Sequence, residues 1–167
     1  MCIRDSIYLR EENKAAYNSK FIDMLERTDD LTFSQLEFLL QLVVDSELYD
    51  SASSISEFDF SGMELTEKSK MFLTIIHYEL NQFELAKEMA LNINSEELNI
   101  LQLQIIDSIL YATKAKQLES NYPEYDSALA NLYLGEVLLT RGQKNEARIV
   151  LERSLSTSVH YEHRVEG

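Results

Sequence analysis

A single proline, Pro123, and four glycines are all the strong backbone punctuation in a chain of 167 residues. Between these breaks lie runs of Leu, Ile, Glu, Ala, Lys and Gln, residues that lose little on entering a helix. No alternating apolar and polar stretch is closed by an Asn-Gly or Asp-Gly pair, the pattern a hairpin would need. The chain is therefore expected to be all-α, with 45% hydrophobic residues supplying the core.

Apolar periodicity divides it into amphipathic helices. Ala15, Tyr17, Phe21, Met24 and Leu25 share one stripe over Glu11 to Arg27. Thr32, with Gln35 three residues on, forms a capping box for a helix from Phe33 to Val44. A shorter helix is predicted over Tyr49 to Ser56, then a loop around Gly62. Thr66 caps a helix through Leu80, followed by Phe83 to Asn92. A long helix is predicted from Ser95 past Tyr111 towards Ser120, ended by the loop around Pro123. Asp126 is expected to cap a helix through Thr140, and Gln143 to Leu155 forms the last one.

Three junctions, SELYDSA (Ser46 to Ala52), LNQFELA (Leu80 to Ala86) and RGQKNEA (Arg141 to Ala147), each pair a polar break with an alanine in the next helix. Ala52 and Ala86 are 34 residues apart; Ala147 follows 61 later, where a strict array would need 68. In the last hairpin Leu134-Gly135, then Ala147 and Leu151, fit the pattern of the tetratricopeptide repeat, with Leu138 in its aromatic slot and Asn131 in place of its tryptophan. The chain resembles that family. The resemblance implies a right-handed stack of antiparallel helical hairpins, an α-solenoid over residues 7–167, irregular, with its clearest units at about 33–56, 66–92 and 126–155. It also gives Gly135 a purpose, a close helix crossing against Ala147, while Gly142 is expected to end its helix in a left-handed cap.

The first six residues, MCIRDS, resemble a translated adapter scar; on that reading they and Cys2 are not native, and the chain is a fragment continuing upstream. With Cys2 the only cysteine, neither a disulfide framework nor a Cys-based zinc site can form. A net charge of −14 argues against nucleic acid and anionic membrane as partners. No apolar run approaches the ~18 residues that span a bilayer, and a cytoplasmic setting is the default expectation.

Motifs for catalysis, cofactors or metals are lacking. His160 and His163 are spaced like a ligand pair but read as solvent-exposed, and His77 reads as a packed ring. Residues 28–67 contain no Lys or Arg but ten carboxylates, from Asp29 and Asp30 to Glu64 and Glu67. A solvated acidic face is the favoured reading, an acidic groove steering a basic peptide the alternative. The family resemblance places a ligand on a concave face lined by first helices, where Glu37, Gln41, Met71, Ile75, Tyr78, Glu136 and Leu139 are the candidate contacts. The lysines and asparagines with which some such domains hold a terminal carboxylate are not recognisable. The expected function is a non-enzymatic scaffold for a protein or peptide; a regulatory or sensor arm of a larger enzyme or signalling protein is the alternative, an oligomerisation module a third.

Overall fold

The computed structural model describes Asp23, residues 32–57, Phe60, residues 63–119 and residues 121–165. The hexapeptide MCIRDS and, Asp23 apart, the helix expected from Glu11 to Arg27 lie outside them. Among the described residues there are six α-helices and no strand: α1 Phe33–Asp45, α2 Glu67–Glu79, α3 Phe83–Leu91, α4 Ile100–Ala112, α5 Ala128–Thr140 and α6 Lys144–Val165. Two 3-10 helices, Tyr49–Glu57 and Ser95–Glu97, complete the set. The chain divides into two compact units, Met1–Asn81 and Gln82–Gly167. The division falls inside the 66–92 hairpin read from the sequence.

In the first unit α1 packs against α2 and the Tyr49–Glu57 helix. The expected capping box is present: Thr32 Oγ1 accepts from the Gln35 amide, and Gln35 Oε1 accepts from the Thr32 amide at 2.8 Å. Leu36, Leu39, Leu40 and Val43 form the buried stripe of α1, spaced for one face of a 3.6-residue helix. Each such side chain contributes about 1.5–3 kcal/mol by leaving water. In α2 every residue from Met71 to His77 is buried, so this helix is enclosed on all sides.

The segment after α1 departs from expectation by being 3-10 and not α. Its apolar residues explain the choice: Tyr49, Ala52 and Ile55 recur every third position, the period at which a 3-10 helix superimposes side chains. Ala52 and Ile55 are buried and Tyr49 half-buried.

In the second unit α3 packs on α4, α4 on α5, and α5 on α6. The predicted long helix from Ser95 is corrected at both ends. Asn94 caps only a one-turn 3-10 helix, Leu98 is extended and buried, and α4 starts after Asn99, whose capping box with Gln102 mirrors that of α1. It ends at Ala112, where Lys114 is left-handed at φ 59°. Ser127, not Asp126, caps α5, accepting from the Ala130 amide; Gln104 Oε1 accepts from both the Asp126 and Ser127 amides at 2.9 Å. α6 runs ten residues beyond the expected Leu155.

These corrections expose a recurring register. Four helices, α1, α2, α4 and α5, are each 13 residues long, each follows a side-chain cap (Thr32, Thr66, Asn99, Ser127), and each ends in a left-handed residue 15 positions after that cap. Those residues, Glu47, Asn81, Lys114 and Gly142, are the only ones with positive φ among the described residues. Twenty positions after the cap come Ala52, Ala86, Glu119 and Ala147. The three alanines are fully buried, whereas Glu119 is exposed. The caps are 34, 33 and 28 residues apart. The seven residues missing from the alanine spacing are thus accounted for by a shorter third module and by α4 being preceded by its own cap.

Candidate functional site

Between α4 and α5 the described residues, 113–119 and 121–127, form no regular structure. This segment is nonetheless tied down. Leu118 and Tyr125 enter the core formed by Leu134, Leu138, Ala147 and Val150. Arg141 donates to the Leu118 carbonyl at 3.0 Å, and the buried Asn131 donates through Nδ2 to the Tyr125 carbonyl at 2.9 Å. Asn131, expected from the sequence in the slot where the repeat pattern has tryptophan, therefore holds the loop between α4 and α5.

A groove of about 380 Å³ runs along α4. Its floor is Leu103, Ile106, Asp107 and Leu110, positions 4, 7, 8 and 11 after the cap. In α1 the same positions are Leu36, Leu39, Leu40 and Val43, all buried; in α5 they are Asn131, Leu134, Gly135 and Leu138, all buried. In α4 only Ile106 is buried and the other three are half-exposed. Ala90 and Ile93 form one wall, Tyr125 the other, and Ile100, 68% exposed, lies at the end.

Among the described residues, Asp107 is the only charged side chain lining this groove. Its carboxylate accepts from the Tyr125 hydroxyl at 2.6 Å and pairs with Lys116 at 2.5 Å, whose ammonium also stands 5.0 Å from the centre of the Tyr111 ring. Burial, and then the bond to Asp107, pushes the Tyr125 hydroxyl well above its ordinary value. The bond to Asp107 likewise raises Lys116. Tyr125 is therefore a neutral donor and Lys116 a fixed cation at neutral pH. The groove is apolar with one compensated carboxylate, a lining suited to binding and bare of a nucleophile–base pair.

The residues expected to contact a partner are scattered differently. Glu37 and Gln41 do come together, in a shallow pocket of about 230 Å³ on α1 with Phe33, Phe38 and Thr66. Glu37 accepts from the Thr66 hydroxyl at 2.5 Å, a carboxylate set at the start of α2. Phe38, 64% exposed, is the most prominent side chain there and was not among the expected contacts. Met71 and Ile75, only 3% and 1% exposed, are core residues and are corrected out of any contact surface: α2 is enclosed all round, and the periodicity of such a helix cannot identify an outer face. Tyr78 is half-buried, and Glu136 and Leu139 are exposed on α5. His77 is buried, as the packed-ring reading expects; the side chains of His160 and His163 lie outside the described ones.

Gly135 also has a neighbour other than the expected one. A Cβ there would lie 2.5 Å from Cδ2 and 2.7 Å from Cγ of Leu151, so the residue closing over the glycine is Leu151 and not Ala147, which packs in the adjoining core. Gly142 does form the expected left-handed cap, at φ 77°, with its amide donating to the Leu139 carbonyl and that of Gln143 to Leu138. No group of three or more His, Cys, Asp or Glu among the described residues could hold a metal ion, and none of their helices is long and apolar enough to cross a membrane. Set beside models of known families, characterised proteins and solved structures, the chain has no match.

Proposed function

We propose that this chain is a tetratricopeptide-like helical-repeat scaffold that binds a peptide or helical segment of another protein and catalyses nothing. The observation that carries the reading is the fourfold register: side-chain cap, 13-residue helix, left-handed residue at position 15. Three of the modules add a buried alanine at position 20. Apart from the enclosed α2, a first helix of this kind buries one stripe within its own module and presents other residues to a ligand, and repeat domains use that surface for proteins and peptides. The exposed Phe33 and Phe38 beside Glu37 and Gln41 are consistent with such a surface, because large apolar side chains grouped in the open mark contact sites more often than single ones do.

The test is selection from a displayed random-peptide library against the intact chain, followed by calorimetric titration of the enriched sequences. A saturable complex of one peptide per chain is expected. If repeated selections yield no saturable binder, the scaffold reading falls.

A further inference from the structure

The groove along α4 is more than an open surface, because the chain itself shows what covers the same stripe elsewhere. In α5, where the stripe is closed, a second helix lies against it: α6 brings Ala147 and Val150 into the core and sets Leu151 over Gly135. In α4 the same four positions face the groove, and the place of the alanine is taken by exposed Glu119. The groove is bounded on one side by α3 and its following turn and on the other by Tyr125, which leads into α5. The Tyr125 wall thus belongs to the stretch between α4 and α5, where a second helix would fall in sequence order.

We infer that this groove is the seat of a second helix that the described residues do not supply, and that a partner protein's amphipathic, basic helix docks there. This rests on the scaffold reading and gives it a place and a ligand class. The apolar floor asks for side chains at i, i+3, i+4 and i+7 of the incoming helix. A small residue belongs at the end of its first turn, as alanine does in the chain's own modules. Charge selects a basic sequence. Among the described residues the lining holds one carboxylate, Asp107, whose cation Lys116 comes from the loop, and Ser95 at the rim is followed directly by exposed Glu96 and Glu97. Lys116, which now pairs with Asp107, is half-exposed on the loop, so a Lys or Arg from the partner can reach the same carboxylate from above.

The probe is a blocked synthetic peptide with the sequence of Gln143 to Leu155, a second helix with Ala147 at the end of its first turn and Lys144, Arg148 and Arg153 along it. It is titrated into the intact, isotope-labelled chain and followed by amide NMR. Saturable shifts centred on Leu103, Asp107 and Leu110 are expected, with affinity falling about tenfold or more in Ile100→Asp, which sets a charge in the apolar contact. Ile100 is exposed, so this variant keeps its fold, and Leu132→Asp, at an exposed position of α5 outside every candidate contact, should bind as the parent does. Asp107→Asn should weaken binding and flatten its salt dependence.

Three results would overturn the inference. One is the absence of a saturable shift at α4. Another is shifts on the Leu134 and Leu138 stripe, meaning that the peptide displaces α6 instead. The third is growth of the α4 shifts with protein concentration in the absence of peptide, which makes a second copy the occupant. Library-derived binders that map to Phe33 and Phe38 while α4 stays silent would sink the groove and leave the scaffold standing; no binder at all would remove both.

Discussion

At Gly135 a missing side chain makes room for Leu151, whose Cδ2 occupies the space a Cβ would enter. Glycine inside a helix costs about 0.5–1 kcal/mol against alanine, so the site trades propensity for packing. The trade predicts a change of sign. Gly135→Ala should destabilise the parent by about 1–2 kcal/mol, and Gly135→Leu by more, because a well-packed site is overfilled. In a Leu151→Ala background the clash disappears, and Gly135→Ala should then stabilise by about 0.5–1 kcal/mol. Urea unfolding of the four chains in that cycle checks it. If Gly135→Ala is neutral or stabilising in the parent, the half-buried Leu151 turns aside freely and the close approach has no energetic meaning. Tyr125 makes a second prediction at this scale. Its folded hydroxyl is held above the ordinary value of 10.0, so the stability it contributes is present below pH 10 and is lost as pH rises further. Lys116 and Tyr49, raised as well, act in the same direction. Tyr125→Phe should cost about 1.5–3 kcal/mol at neutral pH, where a bond to a carboxylate is removed, and this deficit should shrink above about pH 10. A deficit that stays constant through alkaline pH would mean that Tyr125 titrates normally.

At the level of elements, the left-handed helix ends carry the clearest energetic signature. Gly142 takes φ 77° with open space around it, so Gly142→Ala should lose about 1 kcal/mol from backbone conformation alone. Glu47 occupies the equivalent position in the first module at φ 52°, exposed, with a carboxylate near carbonyls that disfavour it. Glu47→Gly should gain a similar amount, read as a higher urea midpoint with an unchanged slope. A loss would show that the carboxylate makes a contact worth more than the backbone strain. These ends also explain what could be read in advance. The cap of α1 and the turn at Gly142 were legible because the residues are the usual ones: Thr with Gln three on, and Gly past the last turn. Asn99 with Gln102 carries the same signal as Thr32 with Gln35, but Ser95 followed by two glutamates masks it with an earlier and equally plausible start. Lys114 gives no sign of its left-handed conformation. Missing both ends of α4 hid the third module, and the groove with it, since only the alanine at position 20 had marked a module. The face of α1 was half legible: Glu37 and Gln41 were placed together, while Met71 and Ile75 were assigned outward on a helix with no exposed side at those positions.

For the whole molecule the relevant quantity is charge, which sequence alone supplies. The −14 divides unevenly: Met1–Asn81 has 7 Lys and Arg against 16 Asp and Glu, and Gln82–Gly167 has 8 against 13. Ion pairs among the described residues oppose this repulsion weakly. Apart from Lys70 with Glu67, each has a partner well open to solvent, where a pair is worth about 0–1 kcal/mol. Repulsion between many like charges reaches as far as the Debye length, ~30 Å at 0.01 M salt but only ~8 Å at 0.15 M, whereas contact pairs at a few ångströms are screened much less. Raising sodium chloride over that range should therefore stabilise the chain, shifting the thermal midpoint upward by about 2–4 °C, equivalent to roughly 1 kcal/mol for a protein of this size. The shift should be larger in a variant that removes the cation of a pair, such as Lys87→Gln, since more negative charge is then left to screen. The opposite slope, a midpoint that falls as salt is added, would mean that the surface pairs outweigh the self-repulsion and that the acidic surplus is spread too thinly to matter. The same titration bears on the groove, because a basic helix recruited by an acidic mouth must bind more weakly at the salt concentrations at which the free chain becomes more stable.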